Sequence, residues 1–391
     1  MRELTVLGKN KLKWVERDEL KITSPKSAIL RPLVSSRCDG DSLFLFHNYS
    51  ELLKLGVKLH YLDRRILETF GNNPIKPPFC VGHECIGEIT EIGSDVTNFK
   101  VGDVVIVPWA ISCGTCKTCN DGYYSNCNNT NDDAIISAYG FGHNTSDYGG
   151  TMSDFITIPF ADGMLIHLPE DINPYHCSAL SDNISDAYRT IAPHIQNNPQ
   201  APVLVIGGAA QSIGLYAVYF AKILGSSHID YIDQSKTRLR IAESLGANPI
   251  PVNSKIKFDT FHKSLLKNGY PITVDCSGEE PKLNLAIRSL ASGGFCTSTA
   301  FYFKKGTKLP LWEMYTKSAS FHIGISHPRR DIPKILPLIQ SGALKPEKVI
   351  TTIADWEEAE QAYLEKTTKL VVRRDPYFEQ NLNRFKEKNW I

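Results

Sequence analysis

The chain has no apolar run approaching the ~18 residues of a membrane-spanning helix, no surplus of either charge, and no internal repeat. Each absence removes a class of protein. Lys plus Arg number 43 against 42 Asp plus Glu, a formal net charge of +1, and no basic stripe stands out, which argues against nucleic acid as a partner. The opening residues, Met1-Arg2-Glu3-Leu4-Thr5-Val6, lack the apolar core and small-residue cleavage site of a secretory signal. A cytoplasmic protein without a membrane partner is therefore expected. In that setting Asn-x-Ser/Thr triplets such as Asn183-Ile184-Ser185 carry no meaning. At 391 residues the chain exceeds one ordinary domain, so two are expected.

Cysteine, by contrast, is plentiful. Ten of them in a reducing compartment favour metal binding and buried thiols over disulfides. Cys113, Cys116, Cys119 and Cys127 form a C-x2-C-x2-C-x7-C run that begins about thirty residues after Gly82-His83-Glu84. Such a run can wrap one tetrahedral Zn²⁺ with four thiolates and leave no position open for chemistry, so it reads as a structural zinc site. Gly114, Thr115, Lys117 and Thr118 between the cysteines are small or polar and suit a tight lobe. Asn126 to Asp133 reads as a loop at its exit.

The pattern along the chain divides it. The first ~40 residues and the stretch from Ile86 to Pro108 hold short β-branched runs broken by Gly, Pro and Asp, as expected of an antiparallel, barrel-like β domain. Ile86 to Gly93 alternates at period two, and Val101 to Val107 follows as a second strand. Between Cys38 and His83, the residues Leu52, Leu55, Leu59, Leu62, Ile66 and Phe70 recur at helical steps, with Ser50 as N-cap and Gly71 as stop. That stripe is expected to lie against the β domain, the alternative being a cover over an active site. From about Ala201 strands and helices alternate. Val203 to Ile206, Ile229 to Asp233, Ile272 to Asp275 and Gly294 to Thr297 are the strands of a doubly wound parallel sheet. The last sixty-odd residues, with a helix from Trp356 to Glu365 and the strand Leu370-Val371-Val372, return to the first pattern. The expected fold is α/β, with residues 1–180 and 326–391 forming a β-barrel-type domain. That domain carries a zinc lobe at 110–130, and residues 181–325 form an inserted Rossmann-type domain.

After the strand ending at Ile206 comes Gly207-Gly208-Ala209-Ala210-Gln211-Ser212-Ile213-Gly214, opening a helix. A strand, a glycine turn and a helix N-terminus make an anion cradle for a pyrophosphate, lined by Gly207, Gly208, Ser212, Ile213 and Gly214. Gly208 is expected to make the tight turn and Gly214 to let helix and strand approach. The middle glycine of G-x-G-x-x-G is missing, with Ala210 or Gln211 in its place. Asp233, nineteen residues after Gly214, is the carboxylate expected to hold a ribose 2′-hydroxyl and to favour NAD, while Lys236 and Arg238 nearby leave NADP open.

These motifs in this order resemble the zinc-dependent medium-chain alcohol and polyol dehydrogenases over nearly the whole chain, up to about Asp375. The resemblance rests on Cys38 with Asp41, on Gly82-His83-Glu84 with Gly87 and Gly93, on Gly102-Asp103-Val104-Val105, on the cysteine lobe and on the dinucleotide turn. It implies a GroES-like catalytic domain, a catalytic zinc with one position open, and a fold that works as a homodimer or homotetramer. It implies Cys38 and His83 as zinc ligands, with Asp41 orienting the His83 imidazole and Glu84 as a neighbouring or exchanging carboxylate. The third ligand varies within the family. Here Asp182 aligns, similar to the glutathione-independent formaldehyde dehydrogenases, and Cys177 is its rival. A zinc so held acidifies a bound hydroxyl, and the substrate implied is a small alcohol, polyol or carbonyl compound that exchanges hydride with NAD(H).

Two positions depart from the family. Gly40 stands where Ser or Thr usually passes the alcohol proton on, leaving Ser42, His47, Tyr49 or a water for that task. Asp186 replaces a small, often hydroxylic residue and brings a carboxylate toward the nicotinamide. Two other functions fit the same outline less well: a zinc-independent quinone or enoyl reductase, and a non-catalytic NAD-binding redox sensor. His143, His167, His194 and His322 carry no ligand spacing.

Overall fold

The computed structural model describes residues 1–69, 75–130, 136–142, 146–253 and 257–391. Phe70, Gly71, His143 and Asn131 to Asp133, each part of an expectation above, lie outside the described residues. The chain divides into two compact units. One comprises Met1–Ser185, His327–Gln340 and Ile350–Ile391, and the other Asp186–Ser326 with Ser341–Val349.

The first unit is built around Ala28–Arg37, a β-rich strand in which every residue but Arg31 is buried. It pairs antiparallel with Glu84–Ile92, with Leu370–Arg373 and with Ile156–Ile158, so the end of the chain returns to the first sheet. Leu30, Ile89, Val105, Val107 and Ile158 share one apolar cluster, each such side chain contributing about 1.5–3 kcal/mol by its burial. Register then places the chemistry. Ser36 faces Glu84 across one pairing and Arg37 faces Leu370 across the other. Cys38 therefore leaves its strand beside His83, which precedes Glu84, and beside Lys369, which leads into Leu370.

Three expected elements come out shorter than their patterns. The strand expected from Val101 is Val104–Val107, because Gly102 turns the chain at φ 90°. The helix expected over Trp356 to Glu365 is a 3₁₀ turn, Trp356–Glu358, followed by Ala359–Ala362. The helix expected from Ser50 onward is two helices, Tyr49–Lys58 and Arg65–Thr69, with Asn48 rather than Ser50 at the N-cap. His60, at φ 58°, reverses the chain between them, and Leu62 folds back over Gly56, where a β-carbon would come within 2.5 Å of it. Leu53 of the first helix is buried, but Leu52, Leu55 and Leu59 are exposed, so most of the stripe does not lie against the β unit.

The second unit holds six parallel strands. Their spatial order is Asn248–Pro251, Ile229–Asp233, Val203–Ile206, Tyr270–Asp275, Leu290–Ser298 and Ser320–Ile323. In chain order this is 3-2-1-4-5-6, the dinucleotide-binding arrangement, in which the direction of winding reverses beside the first strand. Val203–Ile206 is buried throughout, as its unbroken apolar run requires. Pro249 and Pro251 confine Asn248–Pro251 to an edge.

Candidate active site

Three donor atoms of different chemistry meet in the first unit. Cys38 Sγ lies 3.3 Å from Asp182 Oδ2, and His83 Nε2 lies 3.6 Å from the same oxygen. A tetrahedral zinc with bonds of about 2.0–2.3 Å would set such edges at about 3.3–3.5 Å, so the donor set fits that ion in type and spacing. Cys177, the rival for Asp182, is buried in the turn before Ser178–Ser181 and is not part of this cluster. Cys38 caps the turn Asp39–Asp41: Gly40 N–H donates to its sulfur at 3.4 Å, and its own N–H donates to Asp41 Oδ2 at 3.1 Å. Burial, with Asp182 alongside, pushes the Cys38 thiol well up. Burial opposes charge on His83, but Asp41 and Cys38 outweigh it and lift the ring well above the usual histidine range.

Around this cluster the groups are positioned by buried polar contacts. His83 Nδ1 lies 3.3 Å from Asp41 Oδ1, out of line for a full hydrogen bond. Glu84 accepts from Ser36 Oγ at 2.7 Å and from Asn183 N–H at 3.1 Å, and pairs with the ammonium of Lys369. Both members of that ion pair are fully buried. Burial works against the Lys369 ammonium, but Glu84 outweighs it and raises it. Phe141 stacks on the His83 ring at 4.8 Å, and Trp109 meets it edge-on at 6.4 Å. Lys369, Ser36 and Asn183 escaped the sequence reading. A lysine opening the apolar strand Leu370-Val371-Val372 was the one available sign.

The other cysteine group is also drawn together. The sulfurs of Cys113, Cys116, Cys119 and Cys127 all lie within 4.8 Å of one another. Cys116 and Cys127 are 3.9 Å apart, against about 3.8 Å for the edge of a Zn–S₄ tetrahedron. Backbone N–H groups of Thr115 and Cys116 point at Cys113 Sγ at 3.4 and 3.3 Å, and that of Cys113 at Cys127 Sγ at 3.3 Å. Burial alone would raise the Cys113 thiol, but the donors of Thr115 and Cys116, with Cys127 alongside, bring it down to about 6. His327 Nδ1 accepts from Ser125 N–H at 3.3 Å and ties the lobe to the helix Pro328–Gln340.

In the second unit the expected turn lies between Val203–Ile206 and the helix Gln211–Ile223. Gly207 and Gly208 are required there by close approach. A β-carbon on Gly207 would come within 2.3 Å of Asp233 Oδ2, and one on Gly208 within 2.5 Å of Ser277 Cα. Gly214 differs from its expected role, since a β-carbon there would meet only ordinary contacts of 3.5 Å or more. Ser212 and Ile213 occupy the first turn of that helix. Asp233 ends the second strand. It receives Arg238 through two bonds of 2.7 Å, Tyr231 OH at 2.7 Å and Ser235 N–H at 2.8 Å. Burial works to raise this carboxyl, but Arg238 and the other donors outweigh it and hold it low. Arg238 also reaches Gln211 Oε1 at 2.6 Å, linking the acid to the turn.

Comparison with known proteins agrees with both units. Residues 55–170 match the alcohol dehydrogenase GroES-like domain and residues 212–341 the zinc-binding dehydrogenase model. D-xylulose reductase A of Aspergillus oryzae is 28% identical over 319 residues, spanning 79% of this chain and 82% of that protein. The alcohol dehydrogenase of Thermus sp. ATN1 superposes with a TM-score of 0.80 at 25% identity, covering 95% of this chain and 99% of that one. An alcohol dehydrogenase from Escherichia coli CFT073, solved with NADH, shares the fold with a TM-score of 0.74 at 21% identity, over 96% and 99% of the two chains. Among the described residues no helix is long and apolar enough to cross a membrane.

Proposed function

We propose, on the premise that this chain belongs to the zinc-dependent medium-chain alcohol and polyol dehydrogenase family, that it moves hydride between a small alcohol, polyol or aldehyde and NAD(H). What supports the reading most directly is one thiol, one imidazole and one carboxylate converging at 3.3–3.6 Å. In this reading Cys38, His83 and Asp182 hold the catalytic zinc, and Cys113, Cys116, Cys119 and Cys127 hold the structural one. When bound, the catalytic zinc supplies a Lewis acid that makes a substrate hydroxyl easier to deprotonate, and NAD supplies the hydride acceptor.

The chain's own groups set that chemistry. Cys38 and Asp182 bring two negative charges and neutral His83 none, so a dication leaves the site near zero net charge. Asp41 faces Nδ1 of His83 and leaves Nε2 free to ligate. Glu84, pinned by Ser36, Asn183 and Lys369, adds a neutralised carboxylate beside the ligands without competing for the open position. Trp109 and Phe141 form an apolar wall against His83 that keeps water from it.

For the dinucleotide, Gly207, Gly208, Ser212, Ile213 and Gly214 frame the pyrophosphate, and Asp233 receives the adenosine ribose. The Asp233 carboxylate would repel a 2′-phosphate, which favours NAD, while Arg238 beside it keeps NADP within reach. We place the enzyme in the cytoplasm as a homodimer or homotetramer. Association is supported by the edge strand Ser320–Ile323 and the nearby helix Leu311–Lys317, which exposes Leu311, Trp312 and Tyr315.

Metal analysis with a substrate panel tests this reading. About two zinc ions per chain are expected, one lost in Cys38→Ser together with turnover, the other lost in Cys113→Ser. NADH-linked turnover that survives complete removal of zinc would overturn the mechanism and favour the zinc-independent reductases.

A further inference from the structure

The buried pair Asp186 and Arg189 is not used by the chemistry above. Both sit on the helix Asn183–Asn197, one turn apart on the same face. Arg189 Nε donates to Asp186 Oδ1 at 2.5 Å. Its Nη2 donates to Gly324 O at 2.5 Å and reaches Ser298 O at 3.5 Å. The two side chains are only 5% and 8% exposed. Arg189 Nη1, equally buried, has no hydrogen-bond partner among the described residues. Leaving a donor of a charged group unmet in the interior is costly because its lost hydration is not replaced, so the arrangement points to a ligand acceptor that completes it.

The position of that donor narrows the ligand. Ser298 is the last residue of the fifth strand of the parallel sheet, and Gly324 directly follows the sixth, Ser320–Ile323. The two strands run side by side, Ser298 opposite Ile323. Ligands of a doubly wound sheet bind outside the carboxyl ends of its strands, one mononucleotide over each half. The first three strands carry the Gly207-Gly208 turn and Asp233, which take the pyrophosphate and the adenosine ribose in the function proposed above. The other mononucleotide then falls to strands four to six, where Arg189 lies. Asp186 cancels the guanidinium charge, so the pair offers a neutral-overall, directional N–H and not an anion site. A carboxamide oxygen is the acceptor that matches it.

Resting on the dinucleotide reading, we infer that Arg189, held in place by Asp186, is a cofactor-binding residue whose Nη1 donates to the carboxamide oxygen of the nicotinamide. The same pairing keeps an unbalanced cation away from the positively charged ring of oxidised nicotinamide. Gly324 O and Ser298 O, by anchoring Nη2, fix the direction in which Nη1 points.

Calorimetric binding of NADH and of ADP-ribose, which lacks the nicotinamide, to the zinc-loaded protein tests this. Two variants are compared with the wild type: Arg189→Gln, and the double change Asp186→Asn with Arg189→Gln. The double change removes both buried charges and so guards against misfolding from an orphaned carboxylate. The NADH Kd is expected to rise about tenfold or more in both variants, while that for ADP-ribose stays within about twofold. Equal weakening of both ligands, or no weakening of either, overturns the role of Arg189. Failure of the wild-type protein to bind ADP-ribose or NADH at all overturns the dinucleotide reading itself.

Discussion

At position 40 a β-carbon would meet only Cys38 Sγ, at 3.8 Å, and the backbone there is outside the left-handed region. The missing hydroxyl is thus a choice of residue and not a steric demand. Ser42 Oγ is committed to Asp39 O at 2.7 Å and His47 is exposed, so neither has the geometry of an obvious substitute relay. Gly40→Ser is expected to leave stability within about 0.5 kcal/mol and to raise kcat for alcohol oxidation about tenfold or more, since a positioned proton acceptor contributes at least that much. Steady-state oxidation rates of the zinc-loaded variant check it, and an unchanged kcat at full zinc occupancy means that another group already moves the proton. Asp233 invites the complementary change. Asp233→Asn keeps the shape wedged against Gly207 but removes the repulsion and frees the Arg238 guanidinium. One charge-assisted bond to a 2′-phosphate, about 1.5–3 kcal/mol, should shift the kcat/KM ratio toward NADP by about 10- to 100-fold. No shift would mean that the ribose lies away from Asp233. At this scale the sequence was most readable where a motif fixes the spacing, as at Cys38, His83 and the four lobe cysteines. It said little at Lys369 and Arg189: a lysine at the head of an apolar strand and an i,i+3 spacing to Asp186 do not reveal the partners Glu84 and Gly324, which lie far away in the chain.

Among the elements, the C-terminal helix Glu379–Glu387 lies beyond the reach of the family motifs, yet its anchoring has a plain physical cause. The Glu88 carboxylate, fully buried, accepts from Tyr377 N–H at 2.6 Å, Phe378 N–H at 3.3 Å and Asn381 Nδ2 at 2.8 Å. It therefore holds, from another strand, the two backbone donors that lead into that helix and a side chain of its first turn, with its negative charge near the helix N-terminus. Asn381 also donates to Gly102 O at 3.0 Å, and Phe385 is buried against Tyr175. Glu88→Ala is expected to cost about 2–3 kcal/mol, the loss of charged hydrogen bonds with their donors left unmet. It should also open the backbone near Tyr377 to protease well below the global unfolding midpoint. Urea titration followed in parallel with limited proteolysis reads both, and a variant as stable and as resistant as the wild type would refute the cap. The segment from Tyr49 to Thr69 shows the opposite failure of legibility. Its apolar spacing fits one helix, and the break at His60 is invisible to periodicity because Leu62 resumes the spacing after the chain has turned back over Gly56.

For the whole molecule, the alternation of strands and helices after Ala201 made the parallel sheet readable, because a strand buried on both faces must be apolar throughout. The return of Leu370–Arg373 to Ala28–Arg37 was foreshadowed by composition, but its register, which brings Lys369 to Glu84, was not. The proposed self-association is the prediction that belongs to this scale. The strand Ser320–Ile323 is the outermost of the parallel sheet, and Ile323 on it is half exposed. Such an edge invites pairing with another chain unless something covers it. The nearby helix exposes Leu311 at 67%, Trp312 at 72% and Tyr315 at 78%, three large apolar side chains within five residues, and grouped exposed apolar side chains of this kind mark interaction sites. With a net charge of only +1, long-range repulsion does not oppose like meeting like. Light scattering of the wild-type protein should therefore give an even multiple of the 43.6 kDa chain mass. Replacing Trp312 and Tyr315 together by Glu places like charges face to face across a two-fold contact and should yield monomers, with zinc content unchanged because both proposed zinc sites lie in the other unit. A monomeric wild type, or a variant that assembles as before, would show that this edge meets water and that any association uses another surface.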